Sequence, residues 1–195
     1  MRTSIDIIRR EHQALAAMLR SVPMLLAQHR REGSPPAFEA FRAMLFYIDE
    51  FPEKRHHRKE SELLFPKVRA RSPRHREVLD RLDHDHHLGE SRIRALEHAL
   101  LGWEMMGEPR RPAFEQAAGA YVEFYLAHMA LEEREILPLA EQVLTEEDWR
   151  ELDAAFARHR DPLAAGVMPD ADYAALFSRI TRLVPAPLGL GPASG

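Results

Sequence analysis

Apolar side chains recur at intervals of three, four and seven residues through four stretches of the chain, and clusters of helix breakers separate the stretches. That period is helical, because an α-helix turns about 100° per residue and residues so spaced share one face. The first stretch, Ser4 to Arg31, carries Ile5, Ile8, Leu15, Leu19, Val22 and Leu26 and ends at Gly33-Ser34-Pro35-Pro36, with Pro23 as a possible kink. The second runs from Phe38 to Ala70 with Pro52 as an irregularity, the third from Arg74 to Met106, and the fourth from Pro112 to Leu144. Alternating β-branched runs hardly occur. Four long helices joined by loops of a few residues imply antiparallel neighbours, so the expected fold is all-α, an up-down-up-down four-helix bundle over residues 1–145. Residues 146–195 are expected to form a short helical extension that packs on the bundle. Thr145 suits the N-cap of a helix from Glu146 to Arg160, a further short helix follows Pro169, and the Pro- and Gly-rich end from Pro185 reads as an extended strap or frayed tail.

With 195 residues, 45% of them hydrophobic, the chain is long enough to bury a full core. Cysteine is absent, which excludes disulfides, thiolate zinc sites, iron–sulfur clusters and a cysteine nucleophile. The basic residues, 24 Arg and 3 Lys, are scattered, and the formal net charge is −4, so no nucleic-acid partner is expected. Arg2, Asp6, Arg9, Arg10 and Glu11 break up the N-terminal stretch, and no apolar run reaches about 18 residues. A soluble cytoplasmic protein without a membrane partner, monomeric or a small homo-oligomer, is the expectation.

The 11 histidines are unevenly placed. By helical rotation, His12 lies within about 40° of Ile5, Ile8 and Leu19. His56 shares a face with Glu60 and Leu63, and His57 sits at its edge near Leu64. His86, unlike His84 and His98, aligns with Leu79, Leu82 and Ile93, with Glu90 one turn on. His128 aligns with Tyr121 and Phe124, with Glu132 one turn on. A single inward histidine is usually a core residue satisfied by a hydrogen bond. Four of them, three followed by Glu at i+4, place several ionisable groups inside one bundle, where a cation is the cheapest compensation. Imidazole and carboxylate donors without sulfur, more than four in number, exceed a tetrahedral zinc site and fit two octahedral first-row ions, iron or manganese. Glu53-x-x-His56 matches the Glu-x-x-His pattern of ferritin-like carboxylate sites, but the chain as a whole is His-rich, with His preceding Glu.

These residues resemble the hemerythrin family, in particular its bacterial HHE cation-binding branch. The resemblance rests on Glu11-His12, on His56-His57 with Glu60 and Pro66, on His86 with Glu90, and on His128 with Glu132, Glu133 and Pro138. His56 and His128 each stand ten residues before a proline. The resemblance covers residues 1 to 145, and Thr145 to Trp149 and Asp161-Pro162-Leu163 are similar to extended bacterial members. It implies two iron ions joined by an oxo or hydroxo bridge, with His12, His56, His86 and His128 as terminal ligands and Glu60 and Glu132 as bridges. Glu90 stands where the oxygen carriers of the family have a second histidine, and a harder anionic ligand favours the ferric state. Binding or reaction with oxygen, peroxide or nitric oxide, in sensing or stress defence, is therefore expected over reversible oxygen carriage. Iron storage with ferroxidase activity, and a metal-free helical interaction module, are the alternative functions.

His57 is a further candidate ligand, although neighbouring helical residues diverge by about 100° and ligation by both His56 and His57 requires a distortion that Pro52 can supply. Tyr121 and Tyr125 lie on the metal-facing side as core aromatics, Glu135 lies beyond the ligands, and His29, His75, His98 and His159 read as surface residues. Met105 and Met106 read as helix-end packing.

Overall fold

A computed structural model describes residues 2–158, 161–164 and 171–184, with the side chains of its last helix from residue 175 onward. The expected strap from Pro185, and His159, lie outside the described residues. Six helices are present and no strand occurs among the described residues. Helix α1 is Thr3–Glu32 and runs through Pro23. Its stop is Gly33, whose φ of 61° is a left-handed conformation that a side chain resists, followed by the two prolines. Helix α2 spans residues 38–71, α3 is Arg76–Met106 after one 3-10 turn at Pro73–His75, and α4 spans residues 111–143. The extension supplies α5, Glu146–Phe156, and α6, Ala171–Leu183. Thr145 starts α5 through a capping box: its Oγ1 accepts from the Asp148 N–H, and its own N–H donates to the Asp148 carboxylate. Backbone and side-chain bonds from Thr145, then Arg71, hold the Asp148 carboxyl down at about 2. Helix α5 stops at Phe156, short of the expected Arg160.

Two of the four long helices are not uniformly α-helical. In α2 the stretches Asp49–His56 and Glu60–Leu64 are π-helical, and so is Glu132–Ile136 in α4. The bonds span five residues: the N–H of His57 donates to Pro52 O, that of Phe65 to Glu60 O, and that of Leu137 to Glu132 O. A proline inside a helix brings no N–H and crowds the carbonyl four residues back, and a wider turn relieves the crowding. Pro52 lies inside the first wide turn, while Pro66 and Pro138 follow the other two at the same offset. The extra residue per turn also moves the apolar stripe. Leu64, Phe65 and Val68 are buried after Glu60, whereas Leu63, expected on the stripe, is only half-buried.

The core falls into two apolar clusters. One joins Ile5, Ile7 and Ile8 of α1 to Leu64, Phe65 and Val68 of α2, Leu79 and Leu82 of α3, and Ile136, Leu137 and Ala140 of α4. The other joins Leu15 to Leu26 of α1 with residues of α2 before Pro52, of α3 after Gly89 and of α4 before Glu132. Early residues of α1 and α3 thus meet late residues of α2 and α4, as the up-down-up-down order requires. Between the clusters every long helix contributes polar residues at one level: Glu11 and His12, Glu53 to Glu60, His86, and His128 to Glu132. Trp149, Leu152 and Phe156 of α5 complete the first cluster, and Ile180 of α6 joins the second.

Candidate metal centre

Glu60 lies at the middle of the polar layer. Its side chain is 0% exposed and faces two groups of histidines. On one side stand His12 and His56, whose Nε2 atoms are 3.8 and 2.9 Å from Glu60 Oε1. On the other stand His57, His86 and His128, with His86 Nε2 3.5 Å from Glu60 Oε2. Donor atoms within each group lie within 4.8 Å of one another, and Glu60 is common to both. Glu132, also 0% exposed, spans the same gap from α4, at 3.6 Å from His12 Nε2 and 3.8 Å from His128 Nε2. Two carboxylates each reaching toward two sets of imidazoles make a donor set suited to cations.

His56 ends the first wide turn of α2, and His57 follows it before the second. Adjacent side chains diverge, and here the divergence is used: His56 faces Glu60, Glu11 and His12, while His57 stacks on the His86 ring at 4.3 Å and on Tyr125 at 5.1 Å. Each serves a different side of Glu60.

Behind the ring atoms that face inward, the Nδ1 atoms of four rings meet hydrogen-bond partners. His56 Nδ1 donates to Glu11 at 2.7 Å, His12 Nδ1 to Glu133 at 2.9 Å and His57 Nδ1 to Glu53 at 3.2 Å. His86 Nδ1 is joined to Ser61 Oγ at 2.8 Å; His128 Nδ1 makes no such bond, with Asp85 3.6 Å away. Such partners fix ring orientation and leave the Nε2 lone pair for a metal. The facing nitrogens behave differently. His56 Nε2 and all four carboxylate oxygens of Glu60 and Glu132 are buried without a hydrogen-bond partner of good geometry. The Nε2 atoms of His86 and His128 stand 3.0 Å apart, about the separation of two nitrogens bound cis to one ion at roughly 2.1 Å. Orphaned buried acceptors converging on one point are costly in a protein without a cation, so the donor set fits one.

Protonation tells the same story. Burial resists the charge of Glu60, but the charged His56 beside it outweighs burial and holds its carboxyl well below the usual range. Burial and the adjacent Glu60 charge push Glu132 well above that range. Without an ion the pair holds a proton that a cation would replace. Burial keeps His12, His57 and His86 below the usual histidine value, hence neutral, the form that binds metal. His56 lies well above it despite burial, because Glu60 and Glu11 flank it.

Seven of the eight residues singled out from the sequence meet here: His12, His56, His57, Glu60, His86, His128 and Glu132. Glu90 does not. Its carboxylate is exposed, 3.7 Å from Arg94, because the inward position one turn beyond His86 belongs to Gly89. A Cβ at Gly89 would stand 1.6 Å from the Tyr125 hydroxyl and 2.8 Å from Glu53 Oε1, so the absent side chain makes room for these groups. Glu53 is thus the additional buried acid. It pairs with His57, and it accepts from Tyr121 OH at 2.6 Å. Burial, against the hydrogen bonds of Tyr121 and Tyr125, raises Glu53 to about 7. The supporting roles of Glu11, Glu53, Ser61 and Glu133 were not read from the sequence. Glu11 and Glu133 lie beside ligands in the motifs, but which ring each meets depends on which helices are neighbours.

Two clefts reach the layer. One of about 570 Å³ lies between α2 and α3, with His57, His86, Ser61 and Glu53 at its base. The other, about 290 Å³, reaches His12 between α1 and α4 beside Glu133. Among the described residues no helix is long and apolar enough to cross a membrane. Comparison with curated proteins and with solved structures gave no match. Residues 3–140 match the hemerythrin HHE cation-binding domain, a span that takes in the whole polar layer and most of the chain. With that match and a buried His/Glu cluster suited to cations, the chain belongs to the hemerythrin HHE cation-binding family.

Proposed function

We propose that this chain is a non-haem di-iron protein whose centre binds or reacts with oxygen, peroxide or nitric oxide, in sensing or in defence against oxidative or nitrosative stress. The observation that carries the reading is the pair Glu60 and Glu132, fully buried, with all four oxygens lacking a hydrogen bond of good geometry and facing two groups of imidazoles. In this reading Glu60 and Glu132 bridge, His12 and His56 hold one ion, and His86, His128 and His57 hold the other. The ligand role given to Glu90 passes to His57, which shares a donor group with Glu60, His86 and His128. Two six-coordinate ions held by these residues would leave room for a small ligand beside His12 and His56, where fewer side chains converge. A pair of iron ions supplies one- and two-electron redox chemistry toward such ligands. The protein's own part is to orient the rings through Glu11, Glu133, Glu53 and Ser61, to carry the bridging charge, and to exclude bulk water with Phe65, Tyr125 and Ile136. The room for that small ligand falls on the side of His12 and His56, so the cleft that reaches His12 beside Glu133 is the access route the reading favours.

Anaerobic loading with Fe(II), followed by oxygen, peroxide or nitric oxide while the visible spectrum is recorded, tests the proposal. Uptake of two irons per chain and a new charge-transfer band with at least one of the three are expected, and Glu60→Ala should lose most of the iron. Two irons retained in Glu60→Ala with unchanged thermal stability would remove the bridging assignment.

A further inference from the structure

The family match ends at residue 140, yet a residue of the extension reaches the support of the polar layer. Glu11 is the junction. Its Oε2 accepts from His56 Nδ1 at 2.7 Å, and its Oε1 accepts from the backbone N–H of Asp161 at 3.0 Å. Asp161 is itself held at every polar atom. Its carboxylate accepts from the Tyr47 hydroxyl and, at 2.7 Å, from the Leu163 N–H, and its carbonyl accepts from the Ala164 N–H at 3.1 Å. Tyr47, Glu11, His56 and Asp161 are all buried, so none of these bonds can be exchanged for water without opening the packing. Phe156, at the end of α5, closes the same corner with its ring 6.3 Å from that of His56.

We infer that Tyr47 and Asp161 are positioning residues for the metal centre: they fix Glu11, Glu11 fixes the ring of His56, and docking of the loop at residues 161–164 is thereby coupled to metal binding. The inference rests on the metal reading above. The physical ground is that a carboxylate with two buried donors, one on each oxygen, has a single rotational position that satisfies both. If the loop leaves, Oε1 loses its donor, Glu11 is free to turn, and the orientation of His56 is no longer enforced. Coupling of this kind is reciprocal, so a metal that needs His56 in place also favours the docked loop. Partners that orient metal-bound histidines typically contribute about 10- to 100-fold to metal affinity.

The experiment uses the full-length chain, loaded anaerobically with Fe(II), or with Co(II) for its visible bands. Metal release to a chelator and tryptic cleavage after the exposed Arg158 are followed in the native chain, Tyr47→Phe and Glu11→Gln. Metal should slow cleavage of the native chain severalfold. Tyr47→Phe should release metal about 10- to 100-fold faster, shift the Co(II) bands and lose the effect of metal on cleavage. Glu11→Gln, with one acceptor oxygen for two donors, should release metal faster as well, and it carries the test if Tyr47→Phe fails to fold. Faster cleavage with unchanged metal release and unchanged Co(II) bands would make Tyr47 and Asp161 merely structural and overturn the inference. A native chain that takes up neither ion would instead overturn the metal reading, and the coupling with it.

Discussion

Glu53 shows how much a single buried acid depends on its surroundings. Its hydrogen-bond partners include His57, which burial keeps neutral, and Tyr121, and burial raises its carboxyl from about 4.5 to about 7. In the metal-free chain the folded state therefore keeps a proton that the unfolded chain has lost throughout that interval. The corresponding stability is fully present below the lower value and is lost as pH rises through the higher one. Glu53→Gln has no proton to lose. Its stability relative to the native chain, measured by urea unfolding without metal, should improve steadily as pH rises from about 4.5 to about 7. A difference that stays flat across this interval would mean that Glu53 does not titrate there.

At the scale of the element, the opposing demands are those of helix and packing at Gly89. Alanine is a better helix former than glycine by about 1 kcal/mol, so Gly89→Ala in α3 should stabilise the chain if only the helix mattered. A Cβ there would instead collide with the Tyr125 hydroxyl and approach Glu53. The expected result is a net loss of about 1–3 kcal/mol, as for other overpacked cores. Part of that loss should disappear in a Tyr125→Phe background, where the closest atom is gone. Chemical denaturation of the four proteins of this cycle measures the coupling, and a net gain in Gly89→Ala alone would contradict the packing argument. The wide turns belong to this scale too. Those of α2 lie on either side of the turn from which it presents His56 and His57 to opposite sides of Glu60.

For the molecule as a whole, the extension is expected to be a cover and not an independent unit. Trp149, Leu152 and Phe156 are buried against Ile5, Ile7 and Ile8 and the ends of α2 and α4. Arg2 lies over the Trp149 ring at 5.4 Å. Removing residues 146–195 would strip this apolar surface, at roughly 25 cal/mol for each Å² returned to water. The truncated chain should melt at a lower temperature and aggregate. A soluble truncation with the melting temperature of the whole chain and full metal content would show that α5 and α6 are dispensable.

Helical periodicity and breakers were enough to locate four antiparallel helices, because they are local properties that each stretch carries with it. The spacing of His and Glu on the apolar stripes, with the two His-to-Pro intervals, was enough to identify the family and the inward residues. The exceptions fall where a residue's environment comes from another helix. Glu90 looked inward by rotation from His86, but Gly89 faces the interior and the space is filled by Glu53 of α2 and Tyr125 of α4. Leu63 lost its place to Leu64 and Phe65 because a proline two residues beyond Leu64 goes with a wide turn there, which shifts every later side chain. The link from Asp161 to Glu11 joins residues 150 positions apart and has no trace in any local pattern. Periodicity fixes which face of a helix is buried; which atom meets which across the core is decided only when all the faces pack at once.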